Sequence, residues 1–239
     1  SNNCRYCYAK GMAVRFGQME MEDWPAERIR EKDVLKKQKL YDGRVMFPSS
    51  HDITPNNLNA CVTVINNLLT AGNELLIVSK PRIQCIERIC KEFASFKEQI
   101  LFRFTIGAMD SRILRFWEPN APTYEERHIC IQLARAYHFA TSVSIEPMLD
   151  PASVVLLVGD LEPFVTDTIW IGKMNHIRKT MRVADSVTVE ALKNIELQQT
   201  DAVIREIYEQ LKDCPIIKWK ESVKTIVGIE IPDDHGLDE

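Results

Sequence analysis

The chain has 239 residues, of which 45% are hydrophobic and 27% are charged, proportions that are typical of one globular domain of ordinary composition. Its formal net charge is −4 and its isoelectric point is about 5.8, so no overall positive field attracts nucleic acid or an anionic membrane. No apolar run in the sequence approaches the ~20 residues that span a bilayer. We therefore expect no membrane segment.

Strand-like and helix-like segments alternate along the chain. Short apolar runs rich in β-branched residues predict strands at 44–50, 74–81, 99–109, 140–149 and 167–175. In the first helix between them, Thr54 is the expected N-cap and Gly72 the expected stop, and Thr123 with Glu126 forms a capping box further along. A helical tail and the short run "PIIKWK" follow. This alternation predicts an α/β fold with right-handed crossovers and a parallel sheet.

Each predicted strand ends in polar or small residues. In parallel α/β folds ligands bind at the carboxyl ends of the strands, so these residues are candidates for a site. Any single one of them could instead cap a helix or form a turn, and their recurrence at every strand end favours a site. The set is Ser49, Ser50, His51, Asp52, Ser79, Lys80, Thr105, Gly107, Ser144, Glu146, Gly172, Lys173 and Asn175.

The seven cysteines are scattered along the chain, and five of them lie in apolar contexts, where a free cysteine behaves as a small core residue. A disulfide framework is not expected at this spacing, and a reducing cytoplasm is the expected compartment.

The other two cysteines, Cys4 and Cys7, form a CxxC pair with a tyrosine on either side of Cys7. This pair alone fits half of a zinc site, a redox dithiol or two exposed thiols. A zinc site would need a second short-spaced pair of ligands, and a redox dithiol would need a strand before it; the sequence given has neither.

The segment "SNNCRYCYA" resembles the signature of the radical SAM superfamily, CxxxCxxC with an aromatic residue before the third cysteine. The resemblance implies that Cys4 and Cys7 are two of three thiolate ligands of a 4Fe–4S cluster. It places the first cysteine immediately before Ser1 and the first strand of the fold ahead of it. It also puts Tyr6 near the adenine of S-adenosylmethionine (SAM). We expect the chain as it stands not to hold a complete cluster.

In this superfamily the fourth iron binds SAM, and the reduced cluster cleaves it to methionine and a 5′-deoxyadenosyl radical. The radical abstracts hydrogen from a substrate, which the sequence does not identify, and the electron comes from a reductant such as flavodoxin or ferredoxin. The cofactors carry this chemistry and the protein orients them. The alternative from the residues is a non-catalytic module that binds zinc or iron–sulfur, or that associates with nucleic acid.

Within the superfamily, the chain resembles most the spore photoproduct lyase and DNA repair photolyase branch, through "FPSSHD", "LIVSKP", "FRFTIGAM", "EPNAPTYEER" and "TSVSIEPMLD". By this resemblance Ser49 and Ser50 contact the amino-acid part of SAM. Lys80 approaches its carboxylate or ribose, and Thr105 lies near the ribose. The implied fold is a partial (β/α)6 TIM-like barrel over residues 1–180, with a helical extension over 181–239 packed on it.

One residue departs from that branch. Spore photoproduct lyase has a hydrogen-donating cysteine just before the serine pair, where this chain has Pro48. Tyr8, a member of the same hydrogen relay, is present and is the predicted catalytic residue. The resemblance therefore implies the superfamily chemistry, and reversal of a thymine dimer by the thiol route is not expected.

Two carboxylates in apolar surroundings need a partner, because a buried charge is costly unless it is paired. Glu146, in "SIEPML", either contacts SAM or substrate, or it caps a neighbouring helix or pairs with Lys173 at the next strand end. Glu118, in "EPNAP", is expected to pair with Arg127 in a structural role.

Overall fold

A computed structural model describes residues 1–17, 20, 22–181 and 184–232. The strands are β1 (Val45–Phe47), β2 (Leu75–Ser79), β3 (Ile100–Thr105), β4 (Ala140–Ile145), β5 (Ile169–Ile171) and β6 (Ile217–Trp219). The α-helices are α1 (Tyr8–Arg15), α2 (Glu31–Val34), α3 (Leu58–Thr70), α4 (Ile83–Glu92), α5 (Ser111–Trp117), α6 (Tyr124–Ala136), α7 (Val154–Leu161), α8 (Ile177–Met181), α9 (Ser186–Gln198), α10 (Asp201–Leu211) and α11 (Glu221–Val227). Short 3-10 turns lie at Ala94–Gln99, Pro151–Ser153 and Glu162–Phe164. In this part of the chain no helix is long and apolar enough to cross a bilayer.

The six strands form one sheet, with every neighbouring pair parallel and the strand order equal to the chain order. The predicted α/β fold with parallel strands is confirmed. Within the described residues the sheet is open, with β1 and β6 at its edges. β6 comes from the run "PIIKWK", which was not among the predicted strands, so the region after residue 180 contributes a strand as well as helices.

One face of the sheet is apolar and packs under helices. Ile77, Phe102, Val143 and Ile169 stand on this face, and each belongs to the main hydrophobic core. Buried side chains of α3, α4 and α6 pack in the same core: Cys61, Ile65, Leu68, Ile86, Ile89, Cys90, Cys130 and Ile131. Burial of this apolar area, at roughly 25 cal/mol per Å², is the main stabilising contribution to the fold.

The opposite face of the sheet carries polar and charged side chains among apolar ones. Successive side chains of a strand point to opposite faces, so the residues between the core positions share this second face. The strand register brings Thr105, Ser144, Trp170 and Lys218 side by side across four strands. We call this second surface the polar face; it also carries Leu76, Val78, Leu101, Arg103 and Ser142.

Local sequence explains where two of the predicted helices begin and end. Gly72, at a φ of +88°, follows the end of α3, as predicted. Thr123 caps α6 by accepting a hydrogen bond from the Glu126 amide, which confirms one half of the predicted capping box, whereas the Glu126 carboxylate accepts from the Ile83 amide (3.2 Å). The prediction that Thr54 caps the first helix is wrong. A turn intervenes and α3 begins after Asn57, because the Thr54 hydroxyl donates to Glu27 Oε2 (2.7 Å) instead.

Candidate functional site

The segment that carries Cys4 and Cys7, which we call the cysteine loop (residues 1–7), is attached to the body of the protein through Arg5. The Arg5 amide donates to the Trp117 carbonyl (2.8 Å), and its Nε donates to the Phe116 carbonyl (2.8 Å). Its Nη1 donates to Thr188 Oγ1 (2.7 Å) and lies 3.0 Å from Asp185 Oδ2. These bonds join the loop to the end of α5 and the start of α9.

Both thiols of the cysteine loop line one cavity of about 430 Å³. Cys4 is buried and Cys7 is half-buried, and the Cys7 amide donates to the Cys4 carbonyl (3.3 Å). The other walls come from residues 24–34, the loop after β1 and the start of α3. Ser50, His51 and Asp52 line the cavity from the loop after β1, so the cysteine pair meets the carboxyl end of a strand here.

Asp52 connects this cavity to the end of β2. Its Oδ1 accepts a hydrogen bond from the Lys80 amide (2.7 Å), and its Oδ2 lies 3.7 Å from Lys80 Nζ. On the other side, Asn2 Nδ2 donates to Asp52 Oδ2 (2.8 Å). Asp52 thereby joins the cysteine loop, the loop after β1 and the carboxyl end of β2 in one polar cluster, and it does not cap a helix.

The electrostatics of this cluster follow from its burial and its close pairs. Burial would raise the pKa of Asp52, but Lys80 and the hydrogen bonds from Lys80 and Asn2 outweigh it and the pKa is lowered. For Lys80, burial acts to lower the pKa, and the charge of Asp52 reverses this and raises it. Burial raises the pKa of the Cys4 thiol to about 12, although Lys80 acts in the opposite direction. The ion pair is therefore fully charged at neutral pH, while Cys4 is a neutral thiol.

Tyr6 lies at the end of a second, buried chain of contacts. Its hydroxyl donates to Glu118 Oε1, and Glu118 Oε2 pairs with the Arg127 guanidinium. Arg127 also donates from Nη1 to the Thr105 carbonyl (3.1 Å) and from Nε to the Pro122 carbonyl (3.0 Å). The predicted Glu118–Arg127 pair is thus present, with both side chains fully buried, and it links the cysteine loop to the carboxyl end of β3.

Burial and the charge of Glu118 together raise the pKa of the Tyr6 hydroxyl, so Tyr6 remains a hydrogen-bond donor at neutral pH. Lys80 Nζ lies 5.8 Å from the centroid of the Tyr6 ring. The structure therefore brings Cys4, Cys7, Tyr6, Lys80 and Ser50 together around the cysteine loop, and Thr105 joins them through Arg127.

Three predicted site residues lie apart from this group. Tyr8 is the first residue of α1 and is 63% exposed, and Ser49 is exposed beside the cavity wall. Glu146 belongs to a different cluster: its Oε1 accepts from Asn175 Nδ2 (2.9 Å) and its Oε2 lies 3.8 Å from Lys220 Nζ. The partner of Glu146 is Lys220 and not Lys173, because β6 places Lys220 at the neighbouring strand end.

Sequence reasoning missed two members of these clusters. Asn2 stands beside the cysteine pair, and its role depends on a partner fifty residues away. Lys220 directly follows the run "PIIKW", and recognising that run as a strand would have placed Lys220 at a strand end. The strand has only three residues, which is short.

The cysteine pair fits part of the donor set that a 4Fe–4S cluster needs. Two sulfurs of one loop line the same cavity, whereas a 4Fe–4S cluster normally takes four cysteine thiolates and takes three in the site that the resemblance implies. Among the described residues no group of three or more His, Cys, Asp or Glu side chains is placed to hold a metal ion. For such a cluster the described residues would supply two ligands, Cys4 and Cys7.

Comparisons with known proteins assign no family to the chain. No protein-family model matches it, and no solved structure matches it. The chain is similar to "Uncharacterized protein ORF301" of Acidianus two-tailed virus, with 22% identity over 211 residues, which cover 80% of this chain and 69% of that protein. The name of that protein states no activity, so this similarity leaves the function to be argued from the site.

Proposed function

We propose that this protein is a radical SAM enzyme of the spore photoproduct lyase and DNA repair photolyase-like branch. One observation supports this most directly. The thiols of the CxxC pair line the same cavity as Ser50 and Asp52 at the end of the first strand. A radical SAM site requires this meeting of a cysteine loop with the carboxyl ends of parallel strands.

The strand order supports the finer proposal of a partial (β/α)6 barrel. In a doubly wound sheet the strand order reverses at a switch point, whereas a barrel adds each strand on the same side of the last one. Here β1 to β6 follow one another without a reversal. In this proposal the sheet is an arc of a barrel with its polar face towards the interior, where β1 to β5 would be five strands of the (β/α)6 core and β6 an additional strand after them.

In the proposed site, Cys4 and Cys7 would be two of the protein ligands of a 4Fe–4S cluster, which would supply the electron for reductive cleavage of SAM. Lys80, protonated beside Asp52, would orient the SAM carboxylate, and Ser49 and Ser50 would contact the amino-acid part. Tyr6 would contact the adenine, Thr105 the ribose, and Glu146 either SAM or the substrate.

The chain's own contacts explain how these side chains are oriented. The buried Glu118–Arg127 pair holds the Tyr6 hydroxyl and the end of β3 in one arrangement. Asp52 holds the Lys80 backbone and ammonium group together. Tyr8, at the exposed start of α1, is the residue of this proposal's hydrogen relay, and a reductant such as flavodoxin or ferredoxin would supply the electron.

The proposal is tested by adding one cysteine directly before Ser1, which completes the spacing CxxxCxxC. The Ser1 amino group contacts the Pro25 carbonyl (2.7 Å) and Glu27 Oε1 (3.0 Å), and Ser1 and Glu27 line the same cavity as Cys4 and Cys7. An added residue is therefore attached at the wall of this cavity. The control adds alanine at the same place, and a second control combines the added cysteine with Cys7→Ser.

After anaerobic reconstitution with iron and sulfide, we expect about four irons per chain in the cysteine-extended protein alone. With SAM and dithionite, that protein should release 5′-deoxyadenosine, and both controls should release none. A full cluster without SAM cleavage would overturn the proposal. Stoichiometric zinc binding in place of iron would favour a non-catalytic metal-binding module.

A further inference from the structure

A second group of reactive side chains lies at the carboxyl ends of β4, β5 and β6. Glu146 follows β4, Gly172 follows β5 and Lys220 follows β6. Glu146 Oε2 lies 3.8 Å from Lys220 Nζ, and Glu146 Oε1 accepts a hydrogen bond from Asn175 Nδ2 (2.9 Å). The asparagine amide thus holds one carboxylate oxygen while the other lies near the amine.

The three strand ends approach closely because residue 172 has no side chain. A Cβ atom at Gly172 would lie 2.9 Å from Lys220 Cβ and 3.0 Å from Glu146 Oε1, which is closer than non-bonded atoms pack. The Lys220 amide donates to the Ile171 carbonyl (2.9 Å). The end of β5 therefore brings the lysine and the glutamate side chains together.

The surroundings of this pair favour the neutral form of each group. Burial lowers the pKa of Lys220, Glu146 acts in the opposite direction with a smaller effect, and Arg103 adds to the lowering. Burial raises the pKa of Glu146 against the opposing effect of Lys220. A lysine is a nucleophile only as the neutral amine, and partial burial is one way in which proteins produce that form.

The ring beside this amine carries a hydrogen-bond donor that has no partner in the described part of the chain. Lys220 Nζ lies 4.6 Å from the centroid of the Trp170 ring. Trp170 is 5% exposed, and its Nε1 atom is buried without an acceptor. Buried donors without a partner are costly and rare. Because an indole can only donate, the missing partner is an acceptor such as an oxygen atom of a bound molecule.

We propose that Lys220 condenses with the carbonyl group of a small hydroxyaldehyde or hydroxyketone and holds it as an imine. Glu146 takes a proton from the Lys220 ammonium group, and the neutral amine adds to the carbonyl carbon. This addition forms a carbon–nitrogen bond and turns the carbonyl oxygen into a hydroxyl group. Glu146 then returns the proton to that hydroxyl group, which leaves as water as the protonated imine forms. The step consumes no oxidant or reductant.

The unpartnered indole N–H identifies the class of carbonyl compound. A hydroxyl group on the carbon next to the carbonyl carbon stays close to the ring beside Lys220, and its oxygen can accept from Trp170 Nε1. The Lys220 side chain is 30% exposed, so a small molecule can reach the amine from solvent. The condensation needs neither a cluster nor SAM, and the inference therefore does not rest on the proposed function.

The test compares two lysines of the unaltered protein, so it does not depend on a variant that folds. Lys212 is 39% exposed and paired with Glu209, and this hydrogen-bonded pair raises its pKa. Glycolaldehyde with cyanoborohydride converts each imine into a stable secondary amine, and peptide mass spectrometry measures the rate at each lysine. At pH 7 we expect Lys220 to react about 100-fold faster than Lys212, in line with the contribution of general acid–base catalysis. Equal rates at the two lysines would overturn the proposal.

Glu146→Gln separates proton transfer by the carboxyl group from a merely structural role. The pKa of Lys220 should fall further in this variant, because Glu146 acts to raise it. Imine formation should nevertheless be about 100-fold slower at its plateau, because the proton carrier is lost. The pH dependence of trapping measures both quantities, and Glu209→Gln is the control that should change neither at Lys220. A plateau rate in Glu146→Gln that equals or exceeds that of the unaltered protein would overturn the role of Glu146.

The hydroxyl group of the ligand is tested with acetaldehyde, which lacks it. The ratio of the Lys220 rate to the Lys212 rate should be about tenfold lower with acetaldehyde, the loss of one hydrogen bond. Trp170→Phe assigns the Trp170 indole N–H resonance among the four tryptophans, and glycolaldehyde should move that resonance downfield as the hydrogen bond forms. The same ratio with both aldehydes would overturn the assignment of a hydroxyaldehyde or hydroxyketone.

This inference and the proposed function fail separately. Preferential trapping at Lys220 in a cysteine-extended protein that does not cleave SAM would overturn the proposed function and leave the imine site standing. SAM cleavage by that protein without preferential trapping at Lys220 would overturn the imine site alone.

Discussion

Glu118 connects the cysteine loop to the buried interior of the protein. Its carboxylate is fully buried and meets the Tyr6 hydroxyl on one side and Arg127 on the other. A buried ion pair is a poor source of net stability, but removing one partner leaves an uncompensated charge and is strongly destabilising. The pair therefore makes one arrangement of the loop much more favourable than the alternatives.

We expect Glu118→Gln to lower the free energy of unfolding by about 3–5 kcal/mol, because the Arg127 charge then lies buried without its counter-ion. Urea denaturation measures the change. The control is Glu92→Gln, which breaks the exposed pair with Arg88 on α4 and should cost only about 0.3–0.5 kcal/mol. Similar decreases in the free energy of unfolding in the two variants would contradict the role of Glu118 as the counter-ion of the buried Arg127.

Sequence reasoning reached part of this arrangement. The pairing of Glu118 with Arg127 followed from a carboxylate and a guanidinium at the two sides of a proline-rich turn. Its complete burial did not follow, because it depends on Tyr6, which comes from a segment 112 residues away. Partners that are this distant along the chain leave no periodic or local pattern in the sequence.

Between elements, Asp52 connects the loop after β1 to the end of β2. This carboxylate accepts hydrogen bonds from Asn2 and from the Lys80 amide and lies near the Lys80 ammonium group. These contacts lower its pKa below the ordinary value of 3.8. A carboxyl group with a lowered native pKa stabilises the fold at neutral pH, and that contribution is lost as the pH falls.

Asp52→Asn should therefore destabilise the protein at pH 7 and have less effect in acid. The stabilisation is fully present above the unfolded-state pKa of about 3.9 and declines as the pH falls through the lower native-state pKa. Thermal or urea unfolding of both proteins at several pH values between neutral and strongly acidic measures the difference. A difference that grows as the pH falls would mean that the native pKa is raised and not lowered.

Most elements of the sheet were predictable, and one was not. The runs that became β2, β3 and β4 are long, apolar and bounded by helices, so their type followed from pattern alone. β6 has three residues and alternates Ile217, Lys218 and Trp219, which gives too little pattern to separate a strand from a loop. Its pairing with β5 explains both the partner of Glu146 and the position of Lys220.

At the scale of the molecule, the stability of the sheet should be greatest at its centre. β3 pairs on both sides, with β2 and β4, and its core side chains Phe102 and Phe104 are fully buried. β1 and β6 pair on one side only within the described residues. Local opening is easier where fewer contacts have to break.

Hydrogen exchange should therefore be slowest for the amides of Phe102 and Phe104 and much faster for those of β1 and β6. Native-state exchange followed by NMR or mass spectrometry measures this. Exchange at Met46 or Lys218 as slow as at Phe102 would indicate that the edge strands are covered in solution, by closure of the sheet or by a second chain.

The class of the fold was predictable from the sequence, while the arrangement of the site was only partly so. The alternation of strands and helices indicates parallel pairing, but it does not say whether the sheet closes. The carboxyl ends of the strands were the expected location of polar groups, and Ser50, Asp52 and Lys80 do meet there. The grouping of Glu146 with Lys220 depends on packing that no local pattern records.

The agreement of strand order with chain order has a consequence for how such a protein can change. The loops at the carboxyl ends of the strands follow one another along the edge of the sheet in the same order as along the chain. An insertion between β5 and β6 would alter the surroundings of Lys220 while leaving the thiol-bearing segment and Asp52 in place. The residues that contact a ligand near β6 can therefore change while the residues around Cys4, Cys7 and Asp52 stay the same.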